Sequence, residues 1–233
     1  MTKKTALIVG TGTGISASFA KVLAREGYDL ALTARNTDKL ADLASATGAK
    51  LFACDATKID EVAAVFTELD RSFGQLDVVL YNPSQRVPGT IVDIAPADVA
   101  QALNVSAFGG FLVGQEAAKR MIKQGHGNIL FTGASASVKG YARSTAFAMG
   151  KFALRGLAQS LTRELAPQNI HVSHFVIDGG VRNEVRGRVE GADDSPDKFL
   201  CPDAIAETYL SIVNQPRSAW TWEVELRPWV ENF

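Results

Sequence analysis

Phe147 stands four residues before Lys151 in the segment Thr145-Ala146-Phe147-Ala148-Met149-Gly150-Lys151. In a helix these two positions share one face a turn apart, so a Tyr at the first would set a phenol beside an ammonium and form a proton donor. Phe147 supplies the ring without the hydroxyl. A second group with chemical content is Gly10-Thr11-Gly12-Thr13-Gly14-Ile15-Ser16. Glycines there permit a tight turn, and they let backbone N–H groups approach a pyrophosphate at the positive end of a following helix. The spacing departs from the usual dinucleotide fingerprint, because no Gly follows Gly12 three residues later, and a plain glycine-rich turn is the competing reading. Some twenty residues on, Thr33-Ala34-Arg35-Asn36 offers Arg35 and no acid. An acid there would bind a ribose 2′-hydroxyl, whereas an Arg neutralises a 2′-phosphate, so NADP(H) is favoured over NAD(H). A solvated Arg at a strand end is the alternative.

The elements that must position these groups are visible as alternating patterns. Short apolar runs at 6–9, 30–33, 50–54, 78–81, 128–132 and 172–177 have the character of strands buried on both faces. Helical periodicity fills 15–26, 37–46, 61–73, 97–123 and about 145–165, which predicts a parallel sheet with helices on both sides. No boundary, repeat or low-complexity tract divides the chain, so a single domain over residues 1–233 is expected. Gly179 to Pro202 lacks periodicity and reads as a mobile lid or, equally, a disordered surface loop.

Composition narrows the function classes. The 233 residues are 46% hydrophobic, enough for one large core, and 24 Lys plus Arg balance 25 Asp plus Glu. No global field is left to attract nucleic acid or anionic lipid. The longest uncharged stretch, 99–115, is broken by Gln101, Asn104 and Ser106 and falls short of the roughly 18 apolar residues of a spanning helix. The N-terminus leads straight into a strand-like run, and a cytoplasmic protein is expected. Cys54 and Cys201 lie far apart and suggest neither disulfide nor zinc. His126 reads as a turn residue, and His171 and His174 flank a strand with no carboxylate or Cys nearby in sequence, so no metal site is expected.

With these residues in place, the chain resembles the short-chain dehydrogenase/reductase superfamily over nearly its whole length. Gly10-x-x-x-Gly14-Ile15-Ser16 is similar to that family's cofactor turn, with Ser16 for the last Gly. Cys54-Asp55-Ala56 is similar to the segment whose Asp binds adenine. Tyr81-Asn82-Pro83-Ser84 matches the Asn-Asn-Ala-Gly tetrad only at Asn82. Asn104 matches the Asn that helps hold a proton-relay water, and Asp178-Gly179-Gly180 stands where the family has Pro-Gly beside the nicotinamide. The resemblance implies a Rossmann-like, three-layer α/β/α doubly wound sandwich with a mainly parallel seven-stranded sheet. It further implies that Gly10, Thr13, Gly14, Ile15, Arg35, Asp55, Ala56, Asn82, Lys151, Gly179 and Val181 bind the cofactor.

The family's Ser, Tyr and Lys are matched only in part. Lys151 fills the Lys position, where it would hold the nicotinamide ribose and lower the Tyr pKa from about 10. Phe147 fills the Tyr position and also reads as a plain core aromatic. The usual spacing puts the Ser at Ala134, so Ser135, one residue off, is the first choice for a substrate hydrogen bond; Ser137, Tyr141 and Ser144 are further candidates. The resemblance implies an NADP(H)-dependent oxidoreductase acting on a small-molecule carbonyl or alcohol, with Ser135, Lys151, Asn104 and Phe147 at the reacting centre. A non-catalytic NADP(H)-binding or sensing protein is the rival. A homodimer or homotetramer is implied, built on the long helices and the C-terminal strand. Trp220, Trp222 and Trp229 either join that interface or cover their own sheet.

Overall fold

A computed structural model describes residues 3–232. Among the described residues seven strands form one sheet: β1 (Thr5–Val9), β2 (Asp29–Ala34), β3 (Lys50–Ala53), β4 (Val78–Tyr81), β5 (Gly127–Thr132), β6 (Ile170–Ile177) and β7 (Glu223–Leu226). Their spatial order is β3-β2-β1-β4-β5-β6-β7, and every neighbouring pair is parallel. The chain runs outward from β1 to β3 and then returns past β1 to β4. That reversal opens a crevice beyond the carboxyl ends of β1 and β4, where doubly wound sheets bind their ligands.

Alternate residues of the central strands feed two apolar layers. Leu7, Val79 and Phe131 pack with Val65 and Phe66 of α3 (Ile59–Phe73), Val113 of α5 (Gly109–Gln124) and Leu154 of α6 (Thr145–Leu165). Ile8, Leu80 and Leu130 pack on the other face with Phe19 of α1 (Ile15–Arg25) and Tyr209 of α7 (Pro202–Val213). Each such side chain, taken fully out of water, contributes about 1.5–3 kcal/mol. The helix α7 has no counterpart in the sequence patterns above.

The helix expected over 97–123 is interrupted. It comprises α4 (Pro96–Leu103), a wide π-helical turn at Asn104–Phe108, and then α5. A π turn breaks the ordinary carbonyl pairing, and here the buried Tyr81 hydroxyl donates to the Val105 carbonyl at 2.5 Å. Two close approaches fix the turn. A Cβ on Gly109 would strike the Tyr81 hydroxyl and the Ala56 carbonyl, and one on Gly150 of α6 would lie 2.7 Å from Ser106 Cβ.

The edge strands explain the buried histidines. His171 stacks flat on Trp220 with centroids 4.7 Å apart, and its Nε2 lies 2.9 Å from the Thr221 carbonyl. His174 Nδ1 lies 3.0 Å from Glu223, whose carboxylate also takes a bidentate pair from Arg155. Both rings therefore tie β6 to the segment carrying β7. Trp220 covers its own sheet, Trp222 lies beside Arg155, and Trp229 is exposed. Among the described residues no helix is long and apolar enough to cross a membrane, and no three metal-binding side chains gather.

Candidate functional site

At the carboxyl ends of β1, β4, β5 and β6 lies a cleft of about 630 Å³. Its first wall is the turn between β1 and α1. Gly10 has φ +76°, and a Cβ there would come within 2.6 Å of Pro83, so the turn requires glycine. The helix behind it begins without a side-chain cap and without an acid in its first turn. Its N-terminal N–H groups are left facing the cleft for an anion. Ser16 has its own task. Its hydroxyl accepts from Asn82 Nδ2 at 2.8 Å and donates to the Gly10 carbonyl at 3.3 Å, which ties the end of β4 to the turn.

Arg35 and Lys39 stand together at one end of the cleft. Asp55 stands with them, accepting from the Thr57 N–H at 3.0 Å and the Thr57 hydroxyl at 2.8 Å. Partial burial works against ionising Asp55, yet the Thr57 donors and Arg35 hold its pKa below the usual carboxylate value. An uncapped helix end, two cations and a carboxylate with spare acceptor capacity fit the phosphates and ribose of a dinucleotide.

At the other end Lys151 is 2% exposed, and its Nζ donates to the Thr132 carbonyl at 2.6 Å. Among the described residues no carboxylate pairs with it. Burial, and then the Arg86 guanidinium, push its pKa down to about 7. Phe147 also faces the cleft, but as part of an apolar wall with Ala134 and Ala136. Ala134 and Phe147 thus set a methyl and a phenyl in one buried cluster. The Arg86 guanidinium lies over the phenyl ring, 4.3 Å from its centroid.

Gly10, Thr13, Gly14, Ile15, Arg35, Asp55, Ala56, Asn82, Phe147, Lys151, Gly179 and Val181 all line the cleft. Two expected residues do not. Asn104 is exposed; the π turn instead turns Ser106 inward against Gly150, where its hydroxyl accepts from the Gln85 N–H at 3.4 Å. Ser135 starts a 3-10 turn outside the lining, and Ala134 takes the wall position. Ser137 is buried with its hydroxyl on the Ala134 N–H, Tyr141 is exposed, and neither they nor Ser144 line the cleft. Sequence reasoning missed Lys39, Arg86 and Asn183, which line the cleft. The last two reach it through loops that no periodicity announces.

The segment between Gly179 and Pro202 is a folded flap. Val181 bridges Leu200, Asn183 bridges Arg188, and Arg182 holds Glu190 through two bonds of 3.0 and 2.6 Å. Asn183 Nδ2 donates to the Thr13 hydroxyl at 3.1 Å, so the flap closes over the glycine turn.

The lowered Lys151 pKa makes stability depend on pH. Between pH of about 7 and the ordinary lysine value of 10.5, the unfolded chain holds a proton that the folded protein has released. Stability therefore rises with pH across that window and is lowest below it. Lys151→Met removes the dependence. In thermal unfolding of the cofactor-free protein, the variant is expected to melt above wild type by roughly 10 °C near pH 7, with the gap closing toward pH of about 10. A gap independent of pH would show that Lys151 keeps an ordinary pKa.

A sequence model of the short chain dehydrogenase family matches residues 4–190. An uncharacterised oxidoreductase of Staphylococcus aureus is 27% identical over 231 residues, covering 98% of each chain. The crystal structure of a short-chain dehydrogenase from Rhodopseudomonas palustris is 35% identical, covers 97% of this chain and 99% of its own, and superposes with a TM-score of 0.83. A metagenomic short-chain oxidoreductase in complex with NADP is 26% identical with a TM-score of 0.83, each chain covered to 97%. With the all-parallel sheet and the cleft at its switch point, these likenesses place the chain in the short-chain dehydrogenase family.

Proposed function

We propose that the protein is an NADP(H)-dependent oxidoreductase that transfers hydride between the nicotinamide and a carbonyl or alcohol substrate, with an altered catalytic set. The observation that carries this reading is the retention of Lys151, buried and aimed at the end of β5, in one continuous cleft with the glycine turn. The NADP found in the metagenomic relative supports the cofactor, as do Arg35 and Lys39. When bound, NADP(H) supplies or accepts the hydride. Phosphate oxygens would meet the N–H groups opening α1, and the 2′-phosphate would meet Arg35 and Lys39. Lys151 would anchor the ribose near the reacting carbon.

Proton transfer then falls to the groups left at that end. A lysine with a pKa of about 7 is present in both protonation states at neutral pH, so Lys151 can give a proton to a developing alkoxide directly or through water. The second reading, a protein that binds NADP(H) without catalysis, is favoured by the joint loss of hydroxyls at Ala134 and Phe147. The partner is proposed to be a second copy of the chain, in a dimer or tetramer. Phe108 and Phe111 of the π turn and α5, and Met149 and Phe152 of α6, leave an exposed apolar face. Sedimentation showing only monomers at micromolar concentration would remove that assignment.

Two substitutions test the reading. Arg35→Asp is expected to weaken NADPH binding selectively, measured by calorimetry with both cofactors; equal losses for NADPH and NADH would separate Arg35 from the phosphate. The double variant Ala134→Ser, Phe147→Tyr restores both hydroxyls and should raise carbonyl reduction by about tenfold or more over a panel of aldehydes and ketones. Silence of both proteins over that panel, with NADPH still binding, would sink hydride transfer and leave the binding reading.

A further inference from the structure

Arg86 is an exposed guanidinium that pairs with no acid among the described residues. Several arginines of the chain pair with acids, among them Arg25 with Glu207, Arg120 with Asp70 and Glu116, Arg155 with Glu223 and Arg182 with Glu190. Arg86, on the loop leaving β4, forms no ion pair and no hydrogen bond among the described residues; its one partner is the face of Phe147. The charges that act on it are both positive, Lys151 and Arg188 of the flap. Desolvation and Arg188 lower its proton affinity, though a guanidinium remains a cation at any working pH. Arg86, Arg188 and Lys151 line the same cleft as Phe147, and Asp55 lines it beside Arg35.

We infer that the pocket beside Phe147 binds a carboxylate of the substrate through Arg86, and hence that the substrate is an oxo acid or hydroxy acid rather than a neutral ketone. The inference rests on the oxidoreductase reading above for which end of the cleft receives substrate. A guanidinium seated over a phenyl ring meets no hydrogen-bond acceptor there, so its N–H groups remain available as the two parallel donors that a carboxylate accepts. Phe147 then has a positive role. It is the platform that holds the fork in plane. The same carboxylate would relieve the repulsion among Arg86, Arg188 and Lys151.

The test separates charge from shape. Protein saturated with NADP is titrated in a calorimeter, at low and constant ionic strength, with pyruvate, acetoacetate and levulinate and with the methyl ester of each. Wild type, Arg86→Gln and Arg86→Lys are compared, and NADPH affinity is measured in parallel by nicotinamide fluorescence. For at least one pair the acid is expected to bind wild type tenfold or more tighter than its ester. Arg86→Gln is expected to bring that ratio near one, Arg86→Lys to keep part of it, and NADPH affinity to stay unchanged in both. Equal binding of acid and ester, no binding of any acid, or a preference that survives Arg86→Gln would overturn the inference. So would a loss of NADPH affinity in Arg86→Gln, which would assign Arg86 to the cofactor. Failure of NADPH to bind wild type is a different result and removes the oxidoreductase reading itself.

Discussion

The backbone of α6 lies so close to the π turn that a Cβ at Gly150 would collide with Ser106, and the rest of the site hangs on that seam. Gly150 presses on Ser106, and Gly109 presses on Tyr81 and Ala56. Protein interiors are dense enough that such contacts do not slide, so α6 has one depth relative to β4. That depth sets where Phe147 and Lys151 arrive, since both project from α6 just beside Gly150. The Tyr81 hydroxyl, by taking up the Val105 carbonyl, offsets the hydrogen bonding that the π turn gives up.

On this frame the cleft is electrically lopsided. The acid nearest the β6 end, Asp178, is already engaged by Lys139 at 3.6 Å and Arg227 at 3.0 Å. Glu223 is held by Arg155 and His174. Neither remains to neutralise Lys151, whose amine keeps only a carbonyl. A buried amine in this setting gives up its proton more readily than any surface lysine. Beside it, Ala134 and Phe147 offer no hydroxyl with which to share the proton.

Much of this was legible in the sequence, and the reason is periodicity. Strands buried on both faces read as apolar runs, and strand–helix alternation allows few topologies other than a parallel sheet. The glycine turn was legible too, because Gly10 to Ser16 are contiguous and turn chemistry is local. What escaped was register. Asn104 and Ser106 lie two residues apart, and only a π turn decides which of them faces inward. Ser135 and Ala134 are adjacent, and a 3-10 turn decides which lines the wall. Arg86 escaped for a different reason: its meaning comes from Phe147, sixty-one positions away, and no spacing rule connects the β4 loop to α6. The flap was legible only as an absence of pattern, because its order comes from side-chain pairs such as Arg182 with Glu190.

The buried amine has a further consequence for whatever enters the cleft. A lysine poised near neutrality is sensitive to its neighbours, and an anion brought close to it raises its affinity for a proton. Ligands of different charge therefore meet different proteins: a neutral one finds a partly uncharged amine, whereas an anionic one draws a proton from solvent as it docks. Uptake of that proton becomes part of the binding equilibrium, and the acidity of the medium acts on the cleft as a co-ligand.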